Sequence, residues 1–248
     1  MFALPFLNKR IKNKGKNSIV FKKNNCRKYS IKMVGENNTL KIEDNFKCKY
    51  LNIKIKGSDN IITIGKNIDA NRLYIEIAGK KNNIVLGNNI QIVEELIIYN
   101  HCDTQNGSIN IGDNTSFFKT AIHNYDNNSS IEIGEDCMFA YNTLIYNTDG
   151  HSIFQEGKLI NQARECKIGN HVWLGMDSSI LKNSRIPNNC IVGKSAVVCR
   201  KFHKENTAIA GNPARIIKEN VSWDRKSVNE FSKKPETLAT VGEGDSCR

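Results

Sequence analysis

Ile168, Leu174, Ile180, Ile186, Val192 and Val198 are all aliphatic and recur every six residues. Four positions beyond the first five stand Val172, Ser178, Ser184, Cys190 and Ala196, all compact. A period of six fits neither a helix, with its 3.6-residue turn, nor a strand alternating every two residues. It predicts an all-β fold of stacked coils, in which three hexads close a triangular turn. The aliphatic residue then points inward and the compact one fits near a corner.

A second repeat lies upstream. Leu40-Lys41-Ile42-Glu43, Ile62-Thr63-Ile64-Gly65, Ile84-Val85-Leu86-Gly87, Ile109-Asn110-Ile111-Gly112, Ile131-Glu132-Ile133-Gly134 and Cys166-Lys167-Ile168-Gly169 share one pattern. Their fourth positions are spaced 22, 22, 25, 22 and 35 residues apart. The early coils are therefore longer than the roughly 18 residues of three hexads. The last interval has an excess around Gly150–Glu165, which predicts an arm leaving the stack. Loops expelled from a regular stack lie on one face, often the working face.

This pattern predicts one elongated domain over residues 1–220. Longer irregular coils fill 1–130 and regular hexapeptide coils 131–210. A short cap helix is expected over 217–232, carrying Trp223 and Phe231, because an open stack exposes apolar surface and unpaired strand edges. The polar stretch 233–248 reads as a disordered tail. The many Asn residues suit corners that need left-handed backbone.

Charge adds one element. The chain carries 36 Lys and Arg against 25 Asp and Glu, a net +11. Such a balance suits an anionic polymer, nucleic acid or lipid surface, or reflects a solvated Lys/Asn-rich exterior. No recognition-helix, RNP-like or zinc-finger pattern accompanies it, so nucleic acid is not the expected partner. No apolar run reaches transmembrane length, and stable membrane insertion is not expected. Eight scattered cysteines without a CxxC pair point to a reducing, cytoplasmic setting without a disulfide framework.

Three blocks carry a family resemblance: Asn147-Thr148-Asp149-Gly150-His151-Ser152-Ile153, Ile168-Gly169-Asn170-His171-Val172-Trp173-Leu174-Gly175, and Ala210-Gly211-Asn212-Pro213-Ala214-Arg215-Ile216-Ile217-Lys218. In this order around the hexads, residues 130–220 resemble the left-handed parallel β-helix (hexapeptide-repeat) acyltransferases of the polysaccharide and sugar O-acetyltransferase type. The N-terminal half matches only in repeat style.

The resemblance implies acetyl-CoA as cosubstrate, a homotrimer with sites between adjacent prisms, and a carbohydrate acceptor such as a capsular or lipopolysaccharide sugar; no metal is expected. A +11 chain would suit an anionic acceptor such as polysialic acid. The general base by resemblance is His151, since an imidazole with a pKa near ~6.5 keeps a neutral fraction able to take a hydroxyl proton. Asp149 either orients His151 or serves the Asp149-Gly150 turn. Trp173 and Asn142 match acceptor-binding positions, although Asn142 also reads as a left-handed corner residue. The Gly175 amide is the expected oxyanion donor. Ser178 is either a second donor or a compact corner residue. Ser195 and Ala196 are small enough to lie beside a pantetheine arm, and Lys194, Lys201, Arg215 and Lys218 are candidate phosphate partners.

Other readings stay open. An N-acetyltransferase of a nucleotide-linked amino sugar would use the same donor. A non-catalytic β-helix binding module would use none. His101 and His123, 22 residues apart, are expected to stack on adjacent coils, and with His151 they raise a zinc site whose spacing departs from that of β-helix carbonic anhydrases.

Overall fold

The computed structural model describes residues 9–162 and 164–232, with the backbone alone at 101, 102 and 232. The predicted tail 233–248 lies outside the described residues.

The chain winds as a parallel β-solenoid. One sheet has eight strands: Ser18–Phe21, Thr39–Ile42, Ile61–Ile64, Asn83–Leu86, Ser108–Ile111, Ser130–Ile133, Cys166–Ile168 and Arg185–Ile186. The register aligns Ile42, Ile64, Leu86, Ile111, Ile133, Ile168 and Ile186 in one column through the prism. These side chains are buried. Each contributes about 1.5–3 kcal/mol by leaving water, and the column exists because the repeat places an aliphatic residue at the same phase in every turn.

The other two faces share a 14-stranded sheet. In the early coils single long strands cover both faces: Asn24–Glu36, Phe46–Ser58, Asp69–Lys80 and Gln91–Gln105. Alternation slips where such a strand turns the corner. Phe46 and Cys48 point inward, and then so do Leu51, Ile53 and Ile55. In later coils the long strand is replaced by pairs of short ones, such as Met138–Phe139 with Thr143–Tyr146.

Corners are built from asparagine. Of the 20 described non-glycine residues with positive φ, 12 are Asn and four are Asp, residue types that tolerate left-handed backbone. Asn45, Asn67, Asn89 and Asn114 form one ladder, each Nδ2 donating to the next Oδ1 at 2.8–2.9 Å. A buried ladder runs through Asn38, Asn60 and Asn82, with each side-chain amide satisfied by its neighbour. Such pairing removes the cost of an unmatched buried amide. Beside it Gly57 sits at φ 120, where a Cβ would come within 1.9 Å of the Gly79 carbonyl oxygen.

The C-terminus differs from the expected cap. Ala214–Glu219 is a strand, antiparallel to Thr207–Gly211, and the helix spans only Val228–Ser232. Trp223 precedes that helix. The hairpin follows from Gly211-Asn212-Pro213, which reverses the chain and lets Ala214 onward pair with the last coil. His101 and His123 are also out of step: His123 is level with Tyr99, because the coil beginning at Gln91 holds extra residues.

Candidate active site

The arm leaves the stack after the strand Thr143–Tyr146. Asn147 and Thr148 are still buried, while residues 149–160 are exposed. Its tip is a small antiparallel hairpin, Phe154–Gln155 with Lys158–Leu159. At its root His151 lines a groove of about 500 Å³ together with Asp126, Asn127, Asn128, Thr148, Ser152 and Asn161. The exposed His151 thus borders a groove lined mainly by amides and hydroxyls, groups that match a polyol.

One side chain holds this root. Asn161 Nδ2 donates to the His151 carbonyl at 2.7 Å and to Asp149 Oδ2 at 2.9 Å, and its Oδ1 accepts from the Ile153 amide at 2.8 Å. Lys182, from the following coil, pairs with Asp149 and reaches the Asn161 carbonyl at 3.4 Å. Burial pushes the Asp149 carboxyl up, but the hydrogen bonds from Lys182 and Asn161 and the ammonium charge outweigh it, leaving the pKa below the ordinary value. Asp149 thus ties arm to coil and makes no hydrogen bond with the imidazole of His151. Neither Asn161 nor Lys182 was expected. Their meeting depends on how the arm folds back, which no repeat encodes.

An aromatic cluster adjoins the root of the arm, with the Tyr146 hydroxyl next to Gly150. His123 Nδ1 is 2.9 Å from the Tyr125 hydroxyl, and Tyr99, Tyr125 and Tyr146 stand edge-on to its ring at 6.0, 5.5 and 5.6 Å. Burial pushes the His123 pKa down. Among the described residues no group of three His, Cys, Asp or Glu is placed to hold a metal.

The other expected site residues are not gathered around His151 within one chain. Asn142 turns a corner at φ 63, donates to Asp177 Oδ1 at 3.3 Å, and lines a separate groove with Lys119, Asp177 and Ser179. Trp173 lies on the face beginning at the next corner, half-buried and tilted against Trp223 at 6.1 Å. The Gly175 amide is engaged by the Val192 carbonyl at 2.7 Å, so it is not a free oxyanion donor. Ser178 and Ala196 are fully buried at inner corners and cannot flank a cofactor arm. Ser195 turns an exposed corner at φ 57, beside exposed Lys194. Lys201 sits 3.4 Å from Glu165, Arg215 donates to the Ala214 carbonyl at 3.0 Å, and Lys218 is exposed on the terminal strand.

A second unexpected cluster clasps the C-terminal segment to the stack. The His171 ring stacks on Trp223 at 4.2 Å and 12°, with Nδ1 2.7 Å from Asp136 and Nε2 3.1 Å from the Trp223 carbonyl. Arg225 binds Asp136, the Ser116 hydroxyl and the Cys137 carbonyl. Burial raises the Asp136 pKa, but the bonds from His171 and Arg225 dominate and hold it below the ordinary value.

No protein-family model matches the chain. The polysialic acid O-acetyltransferase of Neisseria meningitidis is 35% identical over 115 residues, 42% of this chain and 54% of that protein. The chain thus matches about half the length of that relative. Escherichia coli K12 WbbJ, a candidate lipopolysaccharide biosynthesis O-acetyl transferase, is 31% identical over 155 residues, 48% of this chain and 78% of that protein. The crystal structure of the polysialic acid O-acetyltransferase OatWY superposes with a TM-score of 0.58 and 29% identity, covering 91% of this chain and 97% of that one.

Proposed function

The chain belongs to the hexapeptide-repeat O-acetyltransferases, and from that premise we propose that it transfers acetyl from acetyl-CoA to a hydroxyl of a bacterial surface carbohydrate. The acceptor we favour is an anionic polymer such as polysialic acid, the substrate in the names of two relatives, from Neisseria meningitidis and Escherichia coli. The observation that carries the reading is the exposed His151 imidazole, anchored through its backbone beside a groove of amides and hydroxyls.

His151 takes the proton of the acceptor hydroxyl as the oxygen attacks the thioester carbonyl. The tetrahedral intermediate collapses, the carbon–sulfur bond breaks, and the proton passes from the imidazolium to the departing CoA sulfur. No covalent acyl-enzyme is formed. Asn161 and the Asp149–Lys182 pair fix the segment that carries the imidazole, which keeps its reach to the acceptor constant.

The reading includes a homotrimer. Asn142 and Trp173 lie away from His151 in one protomer, so a complete acceptor site would draw them from a neighbour. Lys194, Lys201, Arg215 and Lys218 remain the cations we assign to CoA phosphates. We place the enzyme in the cytoplasm, where acetyl-CoA is supplied.

The test is to incubate the protein with acetyl-CoA and either polysialic acid or a nucleotide-linked amino sugar, reading free thiol and product mass. Thiol release with an alkali-labile acetyl ester on the polymer is the expected result. An alkali-stable amide on the amino sugar, with no ester on the polymer, would overturn it.

A further inference from the structure

The early coils carry a groove far from His151 in the fold. It is lined by residues from four successive strands: Asn25 and Arg27, Lys47 and Lys49, Asp69 and Asn71, and Gln91. Strands stand about 4.8 Å apart, so four of them give a trough roughly 14 Å long that runs along the solenoid axis. Its volume is about 520 Å³. A trough across strands fits an extended ligand better than a compact one.

Its charge is not balanced from within. Arg27, Lys47 and Lys49 face a single carboxylate, Asp69. Beside the trough the register sets Lys28, Tyr50 and Arg72 level on adjacent strands. The cationic groups of Lys28, Lys49 and Arg72 stand 5.7, 5.6 and 5.9 Å from the Tyr50 ring centroid. Arg27, Lys47, Lys49 and Arg72 form no ion pair among the described residues. Elsewhere on the stack cations on neighbouring strands are answered by acids, as in Lys54–Glu76 and Lys167–Glu132. Like charges on adjacent strands are destabilising, and a polyanion laid across them removes that cost.

The neighbouring groups select among polyanions. Asn25, Asn71 and Gln91 offer amides to hydroxyls. The Tyr50 ring is surrounded by cations, so it is not a free platform for a nucleobase. Val93, 41% exposed, is the large apolar side chain that the trough offers to solvent, too little to anchor a membrane.

We propose that this trough is a second carbohydrate-binding site, which holds an anionic polysaccharide away from the reacting centre and keeps the polymer on the enzyme between transfers. The choice of glycan rests on the acceptor class proposed above; the site itself rests on its own residues.

Binding of fluorescently labelled polysialic acid is measured without acetyl-CoA. The proteins are wild type, the triple variant Arg27→Gln, Lys49→Gln, Arg72→Gln, and the charge-matched control Lys16→Gln, Lys56→Gln, Lys81→Gln at the opposite corner. The expected result is at least about tenfold weaker binding by the trough variant alone, with equal thermal melting of all three proteins and loss of binding in high salt. Equal binding by trough variant and control overturns the site. Tighter binding of single-stranded RNA or of anionic vesicles through the same residues overturns its assignment to glycan. Because transfer is not read, a wild type that binds the polymer but acetylates nothing would sink the proposed function and leave the trough standing.

Discussion

Asn161 is joined to three arm residues at once, Asp149, His151 and Ile153, by bonds of 2.7–2.9 Å. Truncating it frees the backbone that carries His151 while leaving the solenoid core untouched. Asn161→Ala is expected to lower kcat about tenfold to a hundredfold, with the KM for acetyl-CoA little changed and thermal melting within a few degrees of wild type. Steady-state kinetics check this; an unchanged kcat would show that the arm does not position the base. The arm that carries His151 was legible because the triplet spacing jumps to 35 there. The partners of Asp149 were not, because Lys182 belongs to a different coil and Asn161 reaches Asp149 only after the hairpin folds back. Sequence spacing says where an arm leaves a stack but not which way its side chains turn.

At the scale of elements, the coils were legible wherever burial repeats at a fixed period. The hexads from Ile168 to Val198 and the triplets upstream fall on buried columns. Elements that answer to one unique contact were not legible. The terminal strand Ala214–Glu219 exists because a hairpin places it on the last coil, and the Trp223–Arg225 clasp exists because His171 and Asp136 are stacked one coil apart. Gly57→Ala tests the early coils, since both its φ of 120 and the Gly79 carbonyl oppose a Cβ. Denaturant unfolding is expected to show a loss of more than about 2 kcal/mol; a neutral effect would contradict the corner geometry. The clasp carries a pH dependence. Asp136 has a lowered pKa in the folded protein, so its contribution is complete above the ordinary carboxylate value and is lost as pH falls through the lowered one. The window lies below about pH 4. Trp223 fluorescence is expected to shift to the red there, earlier in Arg225→Gln than in wild type, and identical acid profiles would remove Arg225 from the clasp.

For the whole molecule, the solenoid sets His151 at one corner and Trp173 and Asn142 on other parts of the prism. If adjacent protomers complete each site, two inactive proteins, His151→Ala and Trp173→Ala, should regain part of the wild-type rate when their subunits are mixed and reassembled. Absence of any recovery in verified mixed trimers would confine the site to one chain. The net charge of +11 was readable from composition, but its concentration in a trough needed the fold that brings Arg27, Lys47 and Lys49 together on adjacent strands, with Arg72 beside them. The most direct test of the account is acetyl transfer to polysialic acid by wild type and by His151→Ala, compared at saturating acetyl-CoA. Removal of the imidazole is predicted to lower kcat by about 10²–10⁴ with the fold intact; a variant that transfers acetyl at the wild-type rate would contradict it.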